Sequence, residues 1–380
     1  MKFKFLLGIY IALLICLWLY SFTQIDLNLT ISSNNIWQTL QKNFQHIGYY
    51  QRSLSTLLFT IIVMLFLVIN LFFLTLAKNG KIQEKQVWQV VVITILILLI
   101  SYPAFSYDIF NYLFNARMMT KYGVDPYVYR ALDFPNDPWI RFMRWTHVTT
   151  PYPWGWTLLG VIPSLLGFQI FIITLLNFKL LMAVFYLGTI YLMGKIMEKE
   201  DSKNKITAMV FIATNPLIVI ESLVSGHHEI VMIFFAMVSL YLLFIERKTW
   251  QSLLFLGISI SIKYMTLFLF PIWFIKKLKL SFVLMGIGLF LFQVIYNREF
   301  QPWYFLWVLP FLPLMSNNSK ILFVFSLLSA GCLLRYVPYL YYGNWDWPVM
   351  WAMNFLTLFP VTVYLIVILI FKTRHNEKAY

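Results

Sequence analysis

Leu54–Ala77 reads LSTLLFTIIVMLFLVINLFFLTLA, without a single Asp, Glu, Lys or Arg, and stops at Lys78-Asn79-Gly80-Lys81. About 20 such residues, rising ~1.5 Å each, cross the ~30 Å hydrocarbon core of a bilayer. Runs of the same kind occur at Phe5–Phe22, Val87–Phe105, Phe171–Met193, Ile206–Leu223, Ile230–Ile245, Leu280–Tyr296, Ile321–Tyr339 and Val349–Phe371. Three further runs are irregular: Trp154–Gly167 and Trp303–Met315 are short, and Trp250–Ile275 carries Lys263 near its middle. The pattern predicts an all-α polytopic membrane protein of about 11–13 transmembrane or partial helices.

Composition agrees. Of 380 residues, 61% are hydrophobic and 12% charged, where soluble domains sit near half apolar and a quarter charged. The net charge of +14 would suggest nucleic acid in a soluble protein. Here Lys and Arg flank the apolar runs, so the charge sets topology and meets membrane lipids, and no nucleic-acid partner is expected. Cys16 and Cys332 both lie inside apolar runs and imply neither a disulfide framework nor a metal cluster. The start, Met1-Lys2-Phe3-Lys4 before an apolar stretch, is like a signal sequence, but no small-residue cleavage site follows, and it reads as the first helix.

Cytoplasmic loops are the basic ones. That rule puts the N-terminus, Lys78–Lys85, Lys195–Lys205, Arg247-Lys248, Lys276–Lys279, Lys320 and the tail from Lys372 inside. The segments 23–53, 106–153, 224–229, 297–302 and 340–348 then fall outside. Trp250–Ile275 has basic residues at both ends, so it should enter and leave on one face as a broken helix or tight hairpin, with Lys263 near the turn or the outer side. Non-helical backbone at membrane depth is tolerated only where it lines a protein cavity. The whole chain, 1–380, reads as one integral membrane domain of a multi-pass cell-membrane protein, with no separate soluble domain.

Acid–base groups concentrate on the expected outer side, and only His375 of the five His is clearly cytoplasmic. Pro103 interrupts a span and Ser106 is a plausible cap for an amphipathic juxtamembrane helix, Tyr107–Tyr122, ended by Gly123. Asp108, Asn111 and Asn115 share one face, and Phe110, Phe114, Arg117 and Lys121 share another suited to the headgroup layer. Asp108 sits in the first turn, where the helix dipole favours a carboxylate. It could serve as a general base or simply as a cap. Asp125 and Tyr127 follow in a turn, and Asp133, Asp137, Arg141 and Arg144 read as solvated charges. His147 and Tyr152, around Thr149-Thr150-Pro151-Tyr152-Pro153-Trp154, suit either sugar stacking or an interfacial belt.

His227, His228 and Glu229 form the next outer turn. Adjacent ligands at a helix start diverge, and the spacing is not that of a metal site, so no metal is expected and hydrogen bonding to a polar substrate is preferred. Lys263 is costly in a membrane unless it faces a cavity or a counter-charge such as phosphate. The last outer cluster, Asn297-Arg298-Glu299-Phe300-Gln301-Pro302-Trp303-Tyr304, puts charge, amide and aromatics at the mouth of a short helix, with Arg335 late in a nearby span.

These residues resemble the glycosyltransferase C superfamily, and within it the polyprenol-phosphate-mannose-dependent mannosyltransferases. The likeness runs from about Tyr102 to Trp307. An acid just after an early span and the "YGVDPY" turn, 122–127, are similar to the family's first large loop. "TPYPWGW", 150–156, is similar to its Tyr-Pro-Pro segment, with Trp154 where a second Pro is usual. "NPLIVIESLVSGHHE", 215–229, resembles its Asn-Pro to Gly-His stretch, with His228 where Asn is common. "SISIKY", 259–264, and "QPWYFLW", 301–307, are similar to its Lys-bearing broken helix and aromatic helix start. The resemblance implies transfer of a sugar, mannose first, from a polyprenyl-phosphate carrier to a glycan or glycolipid acceptor on the outer face. It implies inversion, with Asp108 as general base and no cofactor, and a catalytic loop at about 106–153. The implied substrate-binding residues are Asn111, Asp125, Tyr127, His147, Tyr152, His227, His228, Glu229, Lys263, Arg298, Gln301, Trp303 and Tyr304. A secondary transporter or lipid flippase is the alternative; it predicts repeat symmetry and acidic relays deep in spans, and the sequence shows neither.

Overall fold

The computed structural model describes residues 2–297, 299–315 and 319–377, and the side chains of all of these but Ser319 and 371–377. Among the described residues 77% are helical and none is in a strand. Among the same residues, five helices are long and apolar enough to cross a membrane: Phe3–Gln24, Arg52–Lys78, Phe171–Glu200, Lys320–Tyr342 and Val349–Ile370. Shorter apolar helices, Trp154–Leu165, Glu229–Phe244, Thr249–Ile262, Tyr264–Ile275, Leu280–Tyr296 and Pro302–Met315, pack among them. Buried hydroxyls and amides tie the spans together: Tyr10 to Thr94 at 2.9 Å, Tyr20 to Ser55 at 3.0 Å and Asn70 to Thr214 at 2.9 Å. In a lipid solvent such interhelical hydrogen bonds add to van der Waals packing in holding the spans together.

Two expected spans are broken. Val87–Phe105 is helical only to Leu98, within Glu84–Leu98. Its end is received by Lys179, buried in the first third of Phe171–Glu200. The ammonium donates to the Leu98 carbonyl at 2.9 Å, to Ser101 Oγ at 2.7 Å and to the Ser101 carbonyl. The freed carbonyls are thereby satisfied and the chain can run irregularly to the Asp108 helix. Ile206–Leu223 is likewise two pieces, Ser202–Thr214 and Pro216–Val224, bent by 51°. Asn215 makes that corner: its Oδ1 accepts from the Leu217 and Ile218 amides at 3.1 and 3.3 Å, and Pro216 opens the new helix. The second piece ends in a wide π-turn, Ile220–Val224.

The helix expected from Tyr107 runs Asp108–Tyr122 and ends at Gly123, whose φ of +65° is the left-handed cap that glycine suits. Ser106 Oγ accepts from the Asp108 amide at 3.1 Å. Its aromatic face does not meet headgroups, because the loop folds back over it: Phe110 packs on Phe142 and Phe171, at 5.7 and 6.2 Å. Asp137, expected as a solvated charge, is the buried post of this fold-back. It accepts from Tyr122 OH at 2.6 Å, Arg117 Nε at 2.8 Å, the Trp139 amide at 2.9 Å and Lys121 Nζ at 3.2 Å. The Arg117 guanidinium also lies 4.0 Å from the Trp139 ring. Arg144 pins the far side of the loop to Asp26 and Tyr107.

Burial alone would raise the Asp137 carboxyl, but Tyr122, the Trp139 amide and Arg117 outweigh it and hold it at about 2, below the ordinary 3.8. A depressed folded value stabilises the loop above about pH 4 and loses that contribution as pH falls towards 2. Asp137→Asn should lower the melting temperature of the solubilised protein at pH 6. It should also flatten the decline between pH 4 and 2; superimposable melting profiles would contradict this.

Candidate active site

Asp108 occupies the first turn of its helix. Its side chain is 18% exposed, and much of what surrounds it comes from segments that are broken or irregular. From 150–156 comes Tyr152, whose hydroxyl donates to Asp108 Oδ1 at 3.2 Å. One turn along the helix, Tyr112 is hydrogen-bonded to His228 Nδ1 at 2.8 Å and stands edge-on to Tyr152 and Trp156. Trp156 stacks on His228 with ring centres 5.1 Å apart.

The turn between the π-turn and Glu229–Phe244 supplies the next group. Gly226, with φ +72°, lets the backbone press against Ile109. His227 is fully buried there, its Nε2 4.0 Å from Asp108 Oδ2 and its Nδ1 3.6 Å from Glu221 Oε2. Trp303 covers the imidazole at 4.3 Å. Glu229, also buried, is ion-paired with Lys263. Lys263 is where Thr249–Ile262 stops: its backbone is extended, and Ser259 holds the break through Met232 O at 2.7 Å and Thr266 at 2.9 Å. The ammonium lies 5.0 Å from the Trp307 ring and 5.8 Å from that of Tyr304. The expected broken helix is therefore present, and Lys263 has a protein counter-charge as well as an aromatic floor.

Enclosure raises the Asp108 carboxyl from 3.8 to about 6, and the nearby negative charge of Glu229 adds to the rise; Lys263 and the Tyr152 hydroxyl oppose it. A carboxylate of this basicity is ionised at neutral pH and still able to take a proton.

Several expected residues thus converge: Asp108, Tyr152, His227, His228, Glu229, Lys263, Trp303 and Tyr304. Asn111 is buried beside them with its Oδ1 unpartnered. Others are scaffolding or lie apart. Asp125 accepts the Tyr127 amide at 2.8 Å, and Tyr127 stacks on Trp154 at 4.4 Å and donates to the Tyr152 carbonyl at 2.6 Å. Gln301 starts the Pro302–Trp307 turn by accepting the Tyr304 amide at 3.0 Å. His147 is exposed on the loop. Arg298 lies outside the described residues. Residues absent from the expected set also appear: Tyr112 and Trp156, which complete an aromatic cage with Tyr152 and His228 beside Asp108, and Glu221 with Tyr336 behind His227. Tyr112 was detectable as the i+4 neighbour of Asp108.

A family model described as alpha-(1→6)-mannopyranosyltransferase, N-terminal domain, matches residues 7–279. The chain belongs to this family. No curated protein and no solved structure matches it. As a member it is a multi-pass membrane glycosyltransferase whose reaction is mannosyl transfer. The matched region contains every cage residue from Asp108 to Lys263.

A Cβ at Gly226 would meet Ile109 Cδ1 at 2.7 Å and demand a left-handed non-glycine backbone. Gly226→Ala should therefore displace the residue next to the carboxylate. Mannosyl transfer should fall by roughly 10–100-fold, the scale of ångström misplacement, beside a lowered melting temperature. Wild-type turnover would refute this.

Proposed function

We propose that this family member takes mannose from a polyprenyl-phosphate carrier and attaches it to a glycan or glycolipid on the outer face of the cell membrane, within one integral domain whose catalytic loop spans about 106–153. Asp108 is the general base. It removes the proton of the acceptor hydroxyl as that oxygen attacks the anomeric carbon, and the bond to phosphate breaks with its electrons leaving on the polyprenyl phosphate. One displacement inverts the anomeric centre. Lys263, with its ammonium over Tyr304 and Trp307, meets the leaving phosphate in exchange for Glu229. Tyr152 and Trp303, both only partly buried, offer aromatic faces to sugar. The observation that carries the reading is the enclosed Asp108 carboxylate, raised to about 6 and bonded to Tyr152.

Asp108→Ala and Asp108→Asn should both fold and lose transfer from polyprenyl-phosphate mannose by about 10²–10⁴-fold, the usual contribution of a general base. Retained activity removes Asp108 from that role. In the unsubstituted protein, transfer should decline as pH falls below about 6, because the raised carboxyl is then protonated. For sidedness, Asp133→Cys in a chain lacking Cys16 and Cys332 should react with an impermeant maleimide added outside intact cells. Labelling only after permeabilisation would reverse the orientation.

A further inference from the structure

Behind Asp108 lies a row of buried acid–base groups that the reaction above does not use. His227 has neither ring nitrogen in a hydrogen bond, yet each faces a carboxylate: Asp108 Oδ2 at 4.0 Å from Nε2, and Glu221 Oε2 at 3.6 Å from Nδ1. Glu221 is buried at the π-turn of the bent span. Tyr336 OH donates to its Oε1 at 2.9 Å, and Oε2 is left facing His227. The local backbone fixes the pair, since the His227 amide donates to the Glu221 carbonyl at 2.9 Å. With Trp303 over its ring, His227 is closed to substrate except through Asp108. Catalytic hydrogen bonds often stand long in an empty enzyme and tighten with substrate.

We propose that His227 and Glu221 form a relay that takes the acceptor's proton from Asp108 and holds it until the products leave, an inference that rests on Asp108 being the base. After transfer, the Asp108 carboxylic acid passes its proton to His227 Nε2 and is restored as carboxylate. The imidazolium is held by the Glu221 carboxylate through Nδ1–H, which fixes the tautomer as a second carboxylate does for other catalytic imidazoles. When the products leave, the proton returns through Asp108 to water. No oxidant, metal or further reactant is required. The other ionisable groups facing this row are Glu229, Lys263 and His228 on the side of His227, Tyr112 and Tyr152 around Asp108, and Tyr336 and Cys332 beside Glu221, with Arg335 next to Tyr336. His227 and Glu221 are positioning and proton-carrying residues; neither touches the sugar.

The test is steady-state transfer from polyprenyl-phosphate mannose by the full-length protein. His227→Gln and Glu221→Gln keep size and polarity but cannot carry the charge. Each should lower kcat about 10–100-fold and leave both KM values within about twofold. His227→Ala should regain turnover when imidazole buffer is added, which a merely structural histidine would not show. A raised KM with unchanged kcat would make His227 a binding residue and overturn the relay, as would wild-type kcat or loss without imidazole rescue. Where a variant does not fold, the unsubstituted enzyme decides: turnover in mixtures of light and heavy water should show a curved dependence from more than one moving proton, and a linear one overturns the proposal. If Asp108→Asn stays active, the base assignment itself has failed; if Asp108→Asn is dead while His227→Gln is normal, only the relay has.

Discussion

In hydrocarbon, a backbone that leaves the helix must find its hydrogen bonds inside the protein. The site depends on how that demand is met. Lys179 takes the carbonyls released at Leu98 and Ser101, and so allows the chain to reach Asp108 without a continuous helix. Asn215 caps the corner that lowers Glu221 and His227 into the interior. Ser259 and Thr266 steady the gap at Lys263. Each break costs regular pairing, and each delivers an ionisable group to a place where an unbroken span would present only its flank.

The same enclosure governs the chemistry. Asp108 is basic because aromatic rings and Ile109 exclude water from it and because Glu229 lies near. Lys263 limits that rise while its charge is shared with Glu229. Asp108 and Lys263 therefore sit in one electrostatic network, and a charge bound at one end alters the proton affinity at the other.

What the sequence revealed follows from the range of each signal. Spans were legible because twenty apolar residues are a local pattern. The Asp108 helix was legible from Pro103, Ser106 and Gly123, and the break at Lys263 from a charge with basic residues on either side. Asp137 was misjudged because its burial depends on Arg117, Tyr122 and Trp139 folding back over it, and its loop context looked solvated. Phe171–Met193 was taken as an ordinary span although it contains Lys179; a lone intramembrane lysine was the available signal for a neighbouring break. Pairings such as Glu229 with Lys263 or Glu221 with Tyr336 join distant segments, and nothing in the local spacing announces them.

The last long helix differs from the others. In its most apolar stretch, Val349–Ile370, 11% is buried, against 39–61% for the other four long helices. Residues that touch chiefly lipid answer to one requirement, greasiness, which many side chains meet equally well. Such a segment can exchange Leu for Ile or Phe over generations with little effect on the machine beside it. Ancestry should therefore be written most durably around Asp108 and Lys263, and most faintly along this sparsely packed flank.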